Sequence, residues 1–81
     1  MSRRTYSGEE IAKALEKWGF TPVDRAGSHL KLRYVHPETG EKRTVEVPMH
    51  DEIATGTLRS IASQAGAKEF QEFLDAIEDL L

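Results

Sequence analysis

The strongest constraint on the fold is a run of strict alternation. In His29-Leu30-Lys31-Leu32-Arg33-Tyr34-Val35, apolar Leu30, Leu32 and Tyr34 alternate with His29, Lys31 and Arg33. A period of two belongs to a strand with one buried and one solvated face. Pro37-Glu38-Thr39-Gly40 then carries the residues of a tight turn, and Arg43–Val47 returns with Val45 and Val47 on the inner side before Pro48 stops it. Ala26-Gly27-Ser28 reads as a turn on the other side. It joins the central strand to Phe20–Arg25, where Pro22 lacks an N–H for a ladder and suits an edge. Three antiparallel strands with one solvated face follow.

Helical spacing flanks this sheet. Ser7-Gly8-Glu9-Glu10 has the form of a capping box, Ile11, Ala14, Leu15 and Trp18 recur on one face, and Gly19 ends the run, so a helix is expected over Ser7–Trp18. After the sheet, Thr55-Gly56-Thr57 is expected to cap a second helix, with Leu58, Ile61, Ala62 and Ala65 inward and Gly66 as its stop. Phe70, Phe73, Leu74, Ile77 and Leu80 form a third stripe within Ala67–Leu81. The order α-β-β-β-α with an additional C-terminal helix gives an α+β fold, a small three-stranded antiparallel sheet with helices packed on one face. A single domain over residues 1–81 accounts for the whole pattern.

Composition narrows the function. The 81 residues are 38% hydrophobic and 31% charged and contain no cysteine. Disulfides, thiolate zinc sites and thiol nucleophiles are therefore excluded. No apolar run reaches the roughly 20 residues of a membrane span. Met1–Thr5 lacks the apolar stretch of a secretory signal, so a cytoplasmic location is expected. The net charge is −3, but Ala67–Leu81 alone holds one base (Lys68) against five acids (Glu69, Glu72, Asp75, Glu78, Asp79), leaving +1 on the remainder. An acidic last helix on a near-neutral body is compatible with RNA as a partner.

Histidine is the side chain that changes protonation near neutral pH, which makes His29 the first candidate for general acid–base work. Lys31 and Arg33 share its strand face and can hold a phosphodiester and stabilise its developing charge. The same pattern is also what an ordinary exposed strand looks like. His36 precedes Pro37 and reads as a turn residue. His50 leaves the third strand next to Asp51, and its distance from His29 depends on a register that the residues do not set. No ligand spacing supports a His29/His50/Asp51 metal site, so neither metal nor cofactor is expected. At the second helix, free N–H groups, Thr57 and Arg59 are suited to a phosphate, although two threonines and a solvated arginine would look the same.

Four segments in order carry a resemblance: Ser7-Gly8-Glu9-Glu10-Ile11 through Trp18-Gly19-Phe20, Arg25-Ala26-Gly27-Ser28-His29, Val45-Glu46-Val47-Pro48-Met49-His50, and Gly56-Thr57-Leu58-Arg59-Ser60-Ile61 with Gln64-Ala65-Gly66. Over roughly Ser7 to Gly66 the sequence resembles the HicA (YcfA-like) toxins of toxin–antitoxin pairs. The resemblance implies a fold like that of double-stranded-RNA-binding domains and an endoribonuclease that cleaves messenger RNA and arrests translation and growth. It implies that activity depends on the histidine of the Gly-Ser-His motif, here His29, and that a HicB-type antitoxin covers it. Ser28, Lys31, Arg33 and Arg59 are the expected RNA contacts. Metal-independent cleavage would use the RNA's own 2′-hydroxyl, with water, His50 or another residue as second proton carrier. Without its antitoxin the protein is expected to be monomeric. Two other readings compete: a non-catalytic RNA-binding module of the same fold, and a protein-interaction domain that docks a partner on its acidic helix or sheet edge.

Overall fold

The structure is a computed structural model and describes residues 5–80; Met1–Arg4 and Leu81 lie outside the described residues. The elements run α1 (Gly8–Lys17), β1 (Thr21–Ala26), β2 (His29–Val35), β3 (Lys42–Pro48), α2 (Thr55–Gln64) and α3 (Phe70–Leu80). The three strands form one antiparallel sheet in the order β1-β2-β3. This is the α+β architecture expected from the alternation and helical stripes.

Helix α1 starts as its sequence dictates. The Ser7 hydroxyl accepts from the Glu10 amide at 3.1 Å, and the Glu10 carboxylate accepts from the Ser7 amide at 3.0 Å. Two first-turn donors that have no partner within the helix are thereby satisfied. At the other end Gly19 takes φ +100, Gly19 N–H donates to Glu16 and Phe20 N–H to Leu15, which is a Schellman stop. Ile11, Ala14 and Leu15 are buried, while Trp18 sets its ring edge against Phe73 at 5.8 Å.

The hairpins place the sheet faces. Gly27 has φ +60 and Ser28 does not take positive φ, so the two residues between Ala26 and His29 form a turn of the type II′ pattern. His36 does serve the other hairpin: its Nδ1 accepts from the amides of Glu38 and Thr39 at 3.1 and 3.3 Å. Leu32 lies opposite Val45 and Leu30 opposite Val47; Leu32, Val45 and Val47 are fully buried. Lys31 and Arg33 pair with Glu46 and Thr44 on the other face. The edge strand β1 carries an irregularity between Pro22 and Asp24, where the ladder lacks a proline donor.

One buried cluster joins all of this, including Leu58, Ile61, Phe73 and Ile77 from the last two helices. Tyr6 and Ile53, neither of them part of a periodic stripe, also belong to it. Ile53 N–H donates to the Tyr6 carbonyl at 2.8 Å, and the Tyr6 hydroxyl donates to Glu78 of α3 at 2.6 Å. Among the described residues no helix is long and apolar enough to cross a membrane.

The capping expected at α2 is not what forms. The N-cap is Ala54, with φ −64 and ψ 151, and no side chain accepts from the first turn. Thr55 is already helical, so neither it nor Thr57 occupies the capping position. The buried Ile53, tied to Tyr6, sets where the helix begins, one residue ahead of the first hydroxyl. Helix α3 starts at Phe70, the first residue of its apolar stripe, so the helix is shorter than the Ala67–Leu81 range that holds it.

Candidate active site

The register answers what the sequence left open. His29 is the first residue of β2 and lies directly opposite Pro48, the last residue of β3. His50 follows two residues later. The Met49 amide donates to the Ser28 carbonyl at 2.6 Å, so the residues preceding the two histidines are bonded to each other. On the far side of that bond, the Gly8 amide donates to the His50 carbonyl at 2.9 Å.

That second contact depends on glycine. A Cβ built at Gly8 would lie 2.2 Å from the Pro48 carbonyl oxygen and 2.7 Å from the Met49 Cα. Both are backbone atoms and cannot swing away. The glycine lets the first turn of α1 press on the exit of β3 and hold the chain that carries His50.

His29 and His50 line one groove of about 390 Å³. Glu46 and Pro48 form its β3 wall, Ile53 and Ile61 lie beneath, and Ala54, Thr57, Ser60 and Gln64 of the α2 region complete the other side. The Gln64 side chain accepts from the Glu46 amide at 3.0 Å, so α2 covers an outward-facing donor of β3 and closes the groove there. Because Ala54 brings no capping oxygen, the first turn of α2, of which Ala54 and Thr57 line the groove, has no side-chain cap.

The expected RNA contacts distribute unevenly. Ser28 is exposed in the turn before His29. Lys31 lies 4.0 Å from Glu46, a solvent-exposed pair that contributes little and exchanges partners easily. Arg33 sits one pair further along the open face, its Nε 3.5 Å from the Thr44 hydroxyl. Arg59 is not in the groove: its guanidinium stacks 4.4 Å over the Phe70 ring, between α2 and α3. Asp51 is exposed and outside the groove lining. Among the described residues no three histidine, aspartate or glutamate side chains converge as a metal site.

A second concavity of about 290 Å³ lies between the end of α1 and the start of α3, walled by Trp18, Phe20 and Phe73. Its described lining holds no histidine and is largely apolar. Of these two concavities, the groove is the one lined by histidines.

His50 is the residue that sequence reasoning left undecided. Its signal was present in Val47-Pro48-Met49-His50, but the signal became spatial only through the Ala26–His29 turn and the β2–β3 register. A search of curated proteins finds no match. The family model of the HicA toxin of bacterial toxin–antitoxin systems matches residues 8–67, nearly the span over which the four motif segments run. Those 60 residues include α1, the whole sheet and α2, hence every wall of the groove, and the chain belongs to the HicA toxin family.

Proposed function

We propose that the chain is an endoribonuclease toxin that cleaves messenger RNA in the cytoplasm, without a metal ion, through His29. The observation that carries this reading is the position of His29. It stands exposed at the mouth of a polar groove and begins the strand whose open face presents Lys31 and Arg33. An imidazole on the same strand face as two cations supplies what phosphodiester cleavage requires: a proton carrier, and positive charge along the strand for the phosphorane-like transition state.

The reaction is an internal transfer. The 2′-hydroxyl attacks the adjacent phosphorus, the P–O2′ bond forms and the P–O5′ bond breaks. One fragment ends in a 2′,3′-cyclic phosphate and the other begins with a 5′-hydroxyl. His29 carries one of the two protons involved. Ser28, Lys31 and Arg33 engage the strand beside it, and the open first turn of α2 favours a phosphate oxygen in the groove. Arg59, stacked on Phe70, would meet RNA outside the groove. A HicB-type antitoxin would silence the toxin by covering His29, and the free toxin would be a monomer.

Induced expression of wild type and His29→Ala in one host tests the reading, with growth and RNA integrity followed together. Wild type is expected to arrest growth and fragment messages. The variant should lose about 10²–10⁴-fold in cleavage rate, the usual contribution of a general acid or base. Undiminished cleavage by His29→Ala would remove His29 from the chemistry.

A further inference from the structure

The geometry points to His50 as the second proton carrier of the cleavage reaction, paired across the groove with His29. This inference rests on the nuclease reading above and adds a catalytic residue to it.

Transfer to the 2′-oxygen needs two proton movements, one off the attacking hydroxyl and one onto the departing 5′-oxygen. One imidazole in one protonation state performs one of them. The groove that holds His29 holds one other histidine, His50, among its lining residues. Its carboxylates are Glu46, which pairs with Lys31, and Glu52. Imidazole is the group suited without further adjustment to giving or taking a proton near neutral pH.

Position separates His50 from an idle surface histidine. Its segment is tethered at three points: Met49 to Ser28, His50 to Gly8, and Ile53 to Tyr6. The first tether joins the backbone one residue before His50 to the backbone one residue before His29. The two side chains therefore emerge from a shared, hydrogen-bonded piece of chain, and their spacing does not depend on a loose loop. Both remain exposed and line the same groove, so both are accessible to a phosphodiester there. In the completed step one histidine has gained the 2′-hydroxyl proton and the other has lost a proton to the 5′-oxygen; exchange with water restores both.

The test uses a short synthetic RNA containing a cleavage site mapped with the wild-type protein. It is prepared once with the natural 5′-oxygen and once with a bridging 5′-sulfur at that site. Thiolate leaves without protonation, so sulfur rescues the loss of a general acid and does not rescue the loss of a general base. His50→Ala and His50→Gln are each expected to cleave the oxygen substrate at least about 100-fold more slowly than wild type. Sulfur should restore either the His50 variants or His29→Ala, and not both. Thermal unfolding and affinity for the 2′-O-methyl form of the same RNA should stay near wild type, which a merely structural role for His50 would not allow. Wild-type rates in His50→Ala, or failure of sulfur to rescue either histidine variant, would overturn the pairing while leaving the nuclease reading intact. Absence of cleavage by the wild type on any RNA would overturn both.

Discussion

At the scale of single residues, the site depends on a position with no side chain. Gly8 belongs to a helix for reasons of capping, yet its identity is set by the β3 exit lying against it. Gly8→Ala would ordinarily favour a helix through propensity. Here the added methyl must displace the Pro48 carbonyl or lift the first turn of α1. Overpacking of this kind typically costs about 1–3 kcal/mol. The variant is expected to show a lower urea midpoint and, because the Gly8–His50 bond is lost, slower RNA cleavage at temperatures where it remains folded. Equal stability and full cleavage together would show that this close approach is relaxed without consequence. The sequence presents Gly8 as an unremarkable second residue of a capping box. Nothing local in it indicates that a strand end 40 residues later packs against it, which is why this requirement was not legible.

At the scale of elements, what could be read followed from short-range periodicity and what could not followed from tertiary placement. The β2 alternation fixed which side of the sheet His29, Lys31 and Arg33 occupy, and the Ser7–Glu10 and Gly19 signals placed α1 to within a residue. The β2–β3 register was not readable, because the Pro-Glu-Thr-Gly turn permits more than one pairing and each moves His50 relative to His29. The start of α2 was misread for a related reason. Thr55 is a good capping residue in isolation, but burial of Ile53 brings the chain into the helix at Ala54. This leaves α2 with a testable defect. Ala54 already has the extended backbone of a capping residue, so Ala54→Asp would supply the missing acceptor and stabilise the protein by about 0.5–2 kcal/mol. The same carboxylate would occupy the first-turn amides and, at a position that lines the groove, repel phosphate. The expected result is a higher melting temperature together with weaker RNA affinity and slower cleavage. If Ala54→Asp stabilises and leaves RNA affinity unchanged, the N-terminus of α2 is not part of the RNA site.

At the scale of the whole molecule, the question is how a protein of net charge −3 would hold a polyanion. Its acids concentrate in α3, a helix that begins beyond the residues matched by the family model and packs through Phe73 and Ile77 into the core. The open sheet face has a different balance. By register, Lys31, Arg33 and Lys42 lie on it with Asp24 and Glu46, so three cations stand against two anions along the face, with Lys42 opposite Val35 at the end away from His29. A surface this modest can neutralise few phosphates. Each phosphate neutralised contributes about −0.7 to the slope of log affinity against log salt for single strands and about −0.9 for duplex. Three such contacts give a slope of about −2 to −3, shallow for a nucleic-acid binder. Measured with the cleavage-deficient His29→Ala protein across a potassium chloride series, Arg33→Ala should reduce the slope by roughly 0.7–0.9. Glu46→Gln should raise affinity, since it removes an anion from the groove and frees Lys31 from its exposed partner. A slope much steeper than about −3, insensitive to Arg33 and Lys31, would place the RNA on another surface. With so few charges available, discrimination among RNAs would rest on shape and on the 2′-hydroxyl, the group that the proposed chemistry consumes.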